Sequence, residues 1–199
     1  MKEVMMYSRF ERIWHWTQGL LIITLMITGF EIHGTYRLFN YEQAVDIHII
    51  ASWSLIAIWF LGIFWNMVTG EWKQYIPPKA NKLLAMMKYY GVDIFTGGSE
   101  HPHHKTRRSK LNPIQRMAYL GLHTFMLPFA VMSGLIYFFY PYWAMIGLGG
   151  LSLMFIALVH TAMAFMLVAF LIVHLYMALT TSEEFLGYLK AMIVGYEKE

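Results

Sequence analysis

The sequence contains no cysteine among its 199 residues. A chain without thiols has no disulfide, no thiolate-bound iron–sulfur cluster and no thioether-linked haem. Any metal-based redox cofactor must therefore be held by histidine or methionine, and nine histidines are available.

Charged residues are also scarce. They make up 14% of the chain, against 58% hydrophobic residues, and the mean hydropathy is +0.46. A soluble domain of this size is less apolar than this, and several runs are long enough to cross a bilayer. The first segment, residues 1–16, lacks a small-residue cleavage pattern and is expected to be retained. The sequence therefore predicts one integral membrane domain, residues 1–199, embedded in the lipid bilayer.

Helix caps and apolar runs predict four membrane spans. Ser8 and Glu11 form an S-x-x-E capping box, Asn40 caps the second span, and Asn112 with Pro113 begins the third. Pro128 is expected to kink the third span, which membrane helices tolerate. The fold class is an all-α membrane protein, a four-helix transmembrane bundle with spans at about 9–33, 41–69, 113–140 and 150–180.

The distribution of Lys and Arg orients the bundle. The amino-terminal segment up to Arg12 holds three, the segment from Glu71 to Arg116 holds nine, and two follow Thr181, whereas the other two loops hold only Arg37. Because cytoplasmic loops carry the excess of positive charge, both termini are predicted to be cytoplasmic. The basic loop is explained by this bias, so no nucleic-acid partner is expected.

Two further segments are predicted to be surface amphipathic helices. Lys79 to Tyr90 alternates basic and apolar residues at helical spacing and is expected to lie along the membrane. The carboxy-terminal segment is expected to be capped by Ser182, with Glu183 and Glu184 in its first turn.

Histidines stand at two depths along the fourth span. His160 and His174 are fourteen residues apart, nearly four turns, so they share one helix face about 21 Å apart. His15 lies at the depth of His174 and His48 at the depth of His160. Intramembrane histidines also form plain hydrogen bonds between helices, but ionisable residues in a membrane are functional hypotheses by default.

Two histidine pairs, one near each membrane face, are what two bis-histidine haems require. Zinc would need a tetrahedral set of ligands at one depth. Four glycines would let a flat porphyrin approach the helix backbone: Gly19, Gly29, Gly121 and Gly134. Small residues also serve plain helix packing. Arg9 and Arg12 are candidate partners of the inner propionates, in a region where positive charge is expected anyway.

The motifs RIWHWT, DIHIIASW, KLNPIQRMAYLGL and VHTAMAFMLVAFLIVHLYMAL, one per span, resemble those of a known family. They are similar to the membrane cytochrome b subunits of the formate dehydrogenase gamma type, which include those of thiosulfate reductases and nickel–iron hydrogenases. The pattern H-x13-H-x-Y-M-A in the fourth span is the most specific.

The resemblance implies a membrane-anchoring subunit of a respiratory oxidoreductase in the bacterial inner membrane, with two haem b groups. It implies that His48 and His160 hold the outer haem, and that His15 and His174 hold the inner one. Its partners would be the quinone or menaquinone pool and a periplasmic redox subunit, a multihaem cytochrome or iron–sulfur protein.

The resemblance places a quinone site at the start of the third span, at Asn112 and Gln115 beside His174. Amide groups and the second nitrogen of a ligand histidine can supply hydrogen bonds to a quinone carbonyl. Asn112 is also expected to cap the helix, and the two roles are compatible.

The remaining histidines have no partner at their own depth. His123 is interpreted as a hydrogen-bonded core residue, as part of the quinone pocket or, less favoured, as a third haem ligand. His101, His103 and His104 are interpreted as a solvated, proton-buffering loop rather than a metal site. His33 is placed at the outer edge, near the outer haem or a partner.

Two alternative functions remain open at this point. One is a free-standing transmembrane electron-transfer cytochrome, and the other is a haem-free transporter or scaffold with packed histidines.

Overall fold

The structure is a computed structural model that describes residues 3–97, 102–103, 106–107, 109–180 and 186–198. Its named helices and strands, in chain order, are β1 (Glu3–Met5), α1 (Arg9–Ile32), α2 (Tyr41–Thr69), α3 (Ala80–Lys88), α4 (Ile94–Thr96), α5 (Pro113–Gly121), α6 (Leu127–Phe138), α7 (Leu153–Thr180), α8 (Gly187–Val194) and β2 (Tyr196–Lys198).

Four helical segments are long and apolar enough to cross a membrane. They are Arg9–Ile32, Tyr41–Thr69, Pro113–Phe138 and Leu153–Leu179. The predicted all-α bundle of four membrane helices is therefore confirmed, with small differences at the ends. The fourth helix begins at Leu153 rather than near residue 150, because Ser152 serves as its cap and accepts a hydrogen bond from the Phe155 amide at 3.3 Å.

The predicted caps at the start of the first two spans are present. The Ser8 amide donates to Glu11 Oε2 at 2.7 Å and the Glu11 amide donates to Ser8 Oγ at 3.3 Å, which completes the capping box. Asn40 accepts from the Gln43 amide at 3.0 Å. At the other end of α2, Gly70 adopts a φ of +78°, the left-handed conformation that ends many helices.

The third span is irregular where the sequence predicts a kink. Between α5 and α6, Leu122–Met126 forms a π-helical segment in which the Leu127 amide bonds the Leu122 carbonyl. Pro128 follows directly, and a proline ring collides with the carbonyl four residues earlier in a regular helix. The wider π-helical turn accommodates that collision, so the irregularity is a helical widening before the proline.

Close backbone packing in the bundle lies within two helix pairs, α1 with α2 and α6 with α7. A histidine of α1 and one of α2 reach across to the two histidines of α7. The paired imidazoles therefore lie at the junction between the two helix pairs.

Both chain termini lie at one end of the bundle, called here the terminal end. Strands β1 and β2 pair antiparallel, with Glu3 opposite Lys198. The sequence patterns predicted no strand, because a three-residue strand carries too little alternation to be recognised. Since the two strands pair, both termini emerge on the same membrane face.

The two surface helices are present in part. Helix α3 buries Met86 completely, whereas Leu84 and Met87 are exposed and face away from the bundle. Helix α8 begins at Gly187. The predicted cap Ser182 and the first-turn acids Glu183 and Glu184 lie outside the described residues.

Candidate functional site

The structure brings the four membrane histidines together as two pairs. His15 of α1 and His174 of α7 have ring centres 6.0 Å apart. His48 of α2 and His160 of α7 have ring centres 6.3 Å apart. Because His160 and His174 are fourteen residues apart on one helix, the two pairs are separated by about 21 Å along its axis.

The spacing within each pair fits a metal ion held between two imidazoles. A metal–nitrogen bond is about 2 Å and a ring nitrogen lies about 1 Å from the ring centre, so opposed ligands have centres roughly 6 Å apart. Among the described residues, no group of three or more His, Asp or Glu side chains could hold a metal ion. Two-ligand sites of this kind suit a metal whose other ligands come from a macrocycle.

Hydrogen bonds fix the tautomer of both outer histidines. The Thr28 hydroxyl donates to the Thr24 carbonyl at 2.8 Å, so its oxygen accepts from His48 Nδ1 at 2.9 Å. His160 Nδ1 lies 3.1 Å from the Ala130 carbonyl, which can only accept, and 3.2 Å from Ser133 Oγ. With the proton on Nδ1, each ring keeps the lone pair on Nε2 free to bind a metal.

Two of the four predicted glycines lie against the outer pair. A Cβ atom at Gly29 would stand 3.5 Å from His48 Cε1, and one at Gly134 would stand 3.0 Å from His160 Cε1. The second distance is tighter than an ordinary contact, so Gly134 allows the imidazole to approach the helix backbone. These glycines therefore allow the imidazoles of His48 and His160 to lie close to the neighbouring helix backbone.

The inner pair is held differently. His174 Nδ1 lies 2.9 Å from the Tyr119 hydroxyl, and the Phe170 ring stacks on His174 at 6.1 Å with a 5° angle between planes. The partner ring, His15, packs edge to face on Trp16, and its Nδ1 is buried with no hydrogen-bond partner in the described residues. An unpaired buried nitrogen leaves His15 free to rotate either nitrogen toward a metal.

The other two glycines face open space. A Cβ atom at Gly19 or Gly121 would meet no protein atom within 4 Å. Both stand close to the inner pair, Gly19 one turn after His15 and Gly121 two residues after Tyr119. No described side chain therefore packs against either glycine.

Arg9 and Arg12 lie at the terminal end, beside a surface cavity of about 510 Å³ that Trp16 and Thr17 also line. The Arg12 guanidinium donates to the Ile193 carbonyl at the end of α8. Its Nε is buried without a partner among the described residues. Arg12 therefore ties α8 to α1.

Asn112 and Gln115 form a capping box at the start of α5. The Gln115 amide donates to Asn112 Oδ1 at 2.8 Å, and the Asn112 amide donates to Gln115 Oε1 at 3.0 Å. Both side-chain oxygens are therefore occupied by the backbone. Neither side-chain nitrogen has a hydrogen-bond partner in the described structure, so two amide donors remain available in this predicted quinone site.

An ionic cluster, which the sequence analysis missed, closes the terminal end. Lys110 is 5% exposed and lies 2.6 Å from Glu11 and 3.0 Å from Glu71. Burial, together with Glu11 and Glu71, raises the pKa of the neighbouring Tyr75 to about 12. The phenol is therefore a neutral hydrogen-bond donor at physiological pH.

The remaining histidines separate into three cases. His123 lies in the π-helical segment, where Trp59 Nε1 donates to its Nδ1 at 3.3 Å. His33 Nε2 bonds the Thr161 hydroxyl at 3.0 Å and joins α1 to α7. Of the predicted loop cluster, His101 and His104 lie outside the described residues. His123 is thus a hydrogen-bonded residue beside a cavity, and it lies opposite no other histidine.

The hydroxyl partners of the outer histidines were missed although a short pattern marks them. Thr28 directly precedes Gly29, and Ser133 directly precedes Gly134. Each dipeptide places a hydroxyl next to the glycine that the imidazole approaches. The recurrence of a hydroxyl residue before a glycine on two spans is the signal that could have identified them.

Comparison with known proteins gives two matches. Residues 6–195 match the family described as prokaryotic cytochrome b561. The chain is also similar to an Escherichia coli (strain K12) protein named "Putative cytochrome YdhU", with 28% identity over 200 residues that cover 99% of this chain and 76% of the relative. The family match spans all four membrane helices and both histidine pairs.

Proposed function

Because the chain belongs to the prokaryotic cytochrome b561 family, we propose that it is a di-haem membrane subunit that exchanges electrons between the quinone pool and a periplasmic redox partner. Membership of the family confirms the coarser prediction, a multi-pass bacterial membrane cytochrome b with haem and an electron-transport role. The number of haems, their ligands, the quinone and the partner form the proposal.

The two histidine pairs carry the proposal, with ring centres 6.0 and 6.3 Å apart. A bound haem b cycles between ferric and ferrous iron and so carries one electron at a time. The outer site would use His48 and His160, whose Nδ1 protons are held by Thr28 and by Ala130. The inner site would use His15 and His174. Two sites at different depths along α7 provide a path across the membrane.

The inner site has a donor set suited to the other proposed ligands. Arg9 and Arg12 border a cavity beside His15's helix and can pair with propionates. The free amide nitrogens of Asn112 and Gln115 can donate to a quinone carbonyl, with His174 as the neighbouring ring. Lys110 and its two carboxylate partners lie at the same end of the bundle. They provide titratable groups near the proposed quinone position.

The opposite end of the bundle suits contact with a protein partner. Its loop exposes apolar side chains: Met145 is 82% exposed and Ile146 is 56% exposed. The loops at this end hold one Lys or Arg residue, Arg37. Exposed apolar surface of this kind marks an interaction site, and we assign it to the periplasmic redox subunit in the bacterial inner membrane.

The proposal is tested by the haem content of detergent-purified protein, measured by the pyridine haemochrome assay with a reduced-minus-oxidised spectrum. Two b-type haems per chain are expected. His48→Ala and His160→Ala should each leave one haem, because the inner pair is about 21 Å away on α7 and stays intact. His33→Ala is the matched control, since it removes a histidine near the outer pair that bonds Thr161, and it should keep two.

Two results would contradict the pairing. A content of one haem per wild-type chain would show that one of the two histidine pairs does not bind haem. Loss of both haems in His48→Ala, in protein that remains folded by circular dichroism, would show that the ligands are paired in another way.

A further inference from the structure

A second cavity, of about 370 Å³, lies between α1, α2, the segment that follows α2 (residues 72–77) and the third span. Its walls are aromatic: Trp14, Trp59, Trp72 and Tyr75 all line it. The described lining residues include no charged side chain. Its size is within the range of small-molecule sites, roughly 300 to 1,000 Å³.

The imidazole of His123 presents a hydrogen-bond donor in this cavity, because its contact with Trp59 fixes its tautomer. Trp59 Nε1 can only donate, and it lies 3.3 Å from His123 Nδ1, so the His123 proton is on Nε2. His123 itself lines the cavity. Within the described residues Nε2–H has no acceptor, and an unpaired donor at membrane depth is costly. A ligand with a carbonyl acceptor would satisfy it.

The local backbone shows that this position is irregular. His123 belongs to the π-helical segment Leu122–Met126, and such segments are rare and frequent at functional sites. The Tyr75 ring packs edge to face on His123 with centres 5.5 Å apart. The π-helical turn and the Tyr75 contact together hold the imidazole between Trp59 and the cavity.

The cavity adjoins the inner histidine pair on two helices. Trp14, on one wall, directly precedes His15. Leu120, on another wall, directly follows Tyr119, whose hydroxyl bonds His174. Consecutive Cα atoms are about 3.8 Å apart, so a ligand in the cavity would lie next to the residues that hold the inner site.

We propose that this cavity binds the head group of a membrane quinone, with His123 donating from Nε2 to one quinone carbonyl. The proposal rests on the electron exchange with quinone proposed above, and it places a site apart from Asn112 and Gln115. Flat conjugated rings stack on indole and phenol rings, and a quinone carries two carbonyl acceptors. An acyl chain has no acceptor, and a phosphate head group would require a cation that the described walls lack.

The cavity opens toward the lipid, which is where a quinone would enter. Ile63 and Met67 of α2 line it and are 38% and 69% exposed on the outside of the bundle. A lipid-soluble ligand can therefore enter laterally between α2 and the third span. Gly62, on the same wall, lies with its backbone directly against the Trp14 indole.

The test is photolabelling of the purified protein in detergent with an azidoquinone, followed by mapping of the labelled peptides. Label is expected in the segments 62–67 and 120–123. His123→Leu should reduce this label about tenfold, the loss of one hydrogen bond in a desolvated site. Ile63→Trp should reduce it similarly by filling the cavity, and it serves if His123→Leu loses haem or fails to fold.

The matched control is Ile50→Trp, the same change on α2 at a position that is 67% exposed and not part of the cavity wall. It should leave the label unchanged. Reduction of the haems by menadiol is measured in the same samples, so that the general exchange with quinone is assessed independently of the cavity.

Label confined to the peptide around Asn112 and Gln115, with normal reduction by menadiol, would overturn the cavity site and leave the proposed function intact. Label in the cavity peptides that His123→Leu and Ile63→Trp do not change would also overturn it. If the wild-type protein takes no label anywhere and menadiol does not reduce its haems, the proposed exchange with quinone itself fails.

Discussion

At the scale of single residues, the tautomers of His48 and His160 each depend on a partner outside the histidine's own helix. The Thr28 hydroxyl on α1 accepts a hydrogen bond from His48 Nδ1 on α2, and the Ala130 carbonyl on α6 accepts one from His160 Nδ1 on α7. A hydrogen bond from Nδ1 makes Nε2 a better donor to the metal. These contacts are therefore expected to lower the midpoint potential of a haem bound there, as well as to orient the imidazole rings.

Thr28→Val should raise the midpoint potential of the outer haem. Without the acceptor, His48 donates less charge and the ferric state is less stabilised; about 1 kcal/mol of lost hydrogen bonding corresponds to roughly 40 mV for one electron. The measurement is an optical redox titration of both haems. The inner haem should keep its potential.

Thr24→Val is the matched control, because the Thr24 hydroxyl bonds only the Leu20 carbonyl of its own helix. An equal shift in this variant, or no shift in Thr28→Val, would show that the hydroxyl of Thr28 has no specific effect on His48.

At the scale of helices, α1 and α2 pack closely because Gly62 of α2 has no side chain and the Trp14 indole of α1 occupies the space beside it. The Trp14 indole lies where a side chain at position 62 would stand, since a Cβ atom at Gly62 would be 2.6 Å from the ring. The same indole donates to the Ile58 carbonyl at 2.9 Å. Trp14 therefore both spaces the two helices and forms a wall of the cavity next to His15.

Gly62→Ala should destabilise this helix pair by roughly 1 to 3 kcal/mol, as overpacking of a tight contact does. The temperature at which the purified protein loses its haem absorbance should fall by several degrees, at about 2 to 4 °C per kcal/mol for a chain of this length.

The matched control is the double variant Trp14→Phe with Gly62→Ala. Trp14→Phe alone removes a hydrogen bond and ring area and should lower the same temperature. The smaller ring also makes room for the new methyl group, so the double variant should lose less than the sum of the two single changes. Strictly additive losses would show that the ring and position 62 do not collide.

At the scale of the whole molecule, the position of the termini and the distribution of charge predict the same orientation of the bundle in the membrane. Strands β1 and β2 pair, so both ends of the chain lie at the terminal end of the bundle. The same end holds the Lys110 cluster with Glu11 and Glu71. In the sequence, every Lys and Arg residue except Arg37 lies outside the two loops at the other end, and this distribution of charge predicts that the terminal end is cytoplasmic.

Reporter fusions measure this orientation. A green fluorescent protein at the carboxyl terminus should fluoresce in the cytoplasm. Alkaline phosphatase inserted at Gly147, in the loop between α6 and α7, should be active because the distribution of charge predicts that this loop lies outside. Phosphatase activity at the carboxyl terminus would reverse the orientation, and with it the assignment of the outer and inner haem sites.

Much of this architecture follows from local properties of the chain. Apolar length, caps such as Ser8 and Asn40, and the spacing of His160 and His174 along one helix are properties of short segments. A helix repeats every 3.6 residues, so depth and face can be calculated from position in the chain. For the same reason, the matching depths of His15 with His174 and of His48 with His160 could be predicted before their contacts were seen.

What the local pattern could not determine is which side chains meet across helices. The bond from His48 to Thr28, the Trp14 contact with Gly62 and the pairing of Lys110 with two distant carboxylates join residues far apart in the chain. Such contacts depend on the rotation and approach of whole helices, which no single segment encodes.

The cavity beside His123 shows the same limit most clearly. Pro128 predicts an irregular helix, but only the packed structure shows a π-helical segment rather than a simple kink. Only that structure places His123 between an indole donor and an aromatic space formed by three helices. The sequence determines the chemical groups and their depths, whereas tertiary packing decides which of them face one another, because the interhelical contacts form only when the helices assemble.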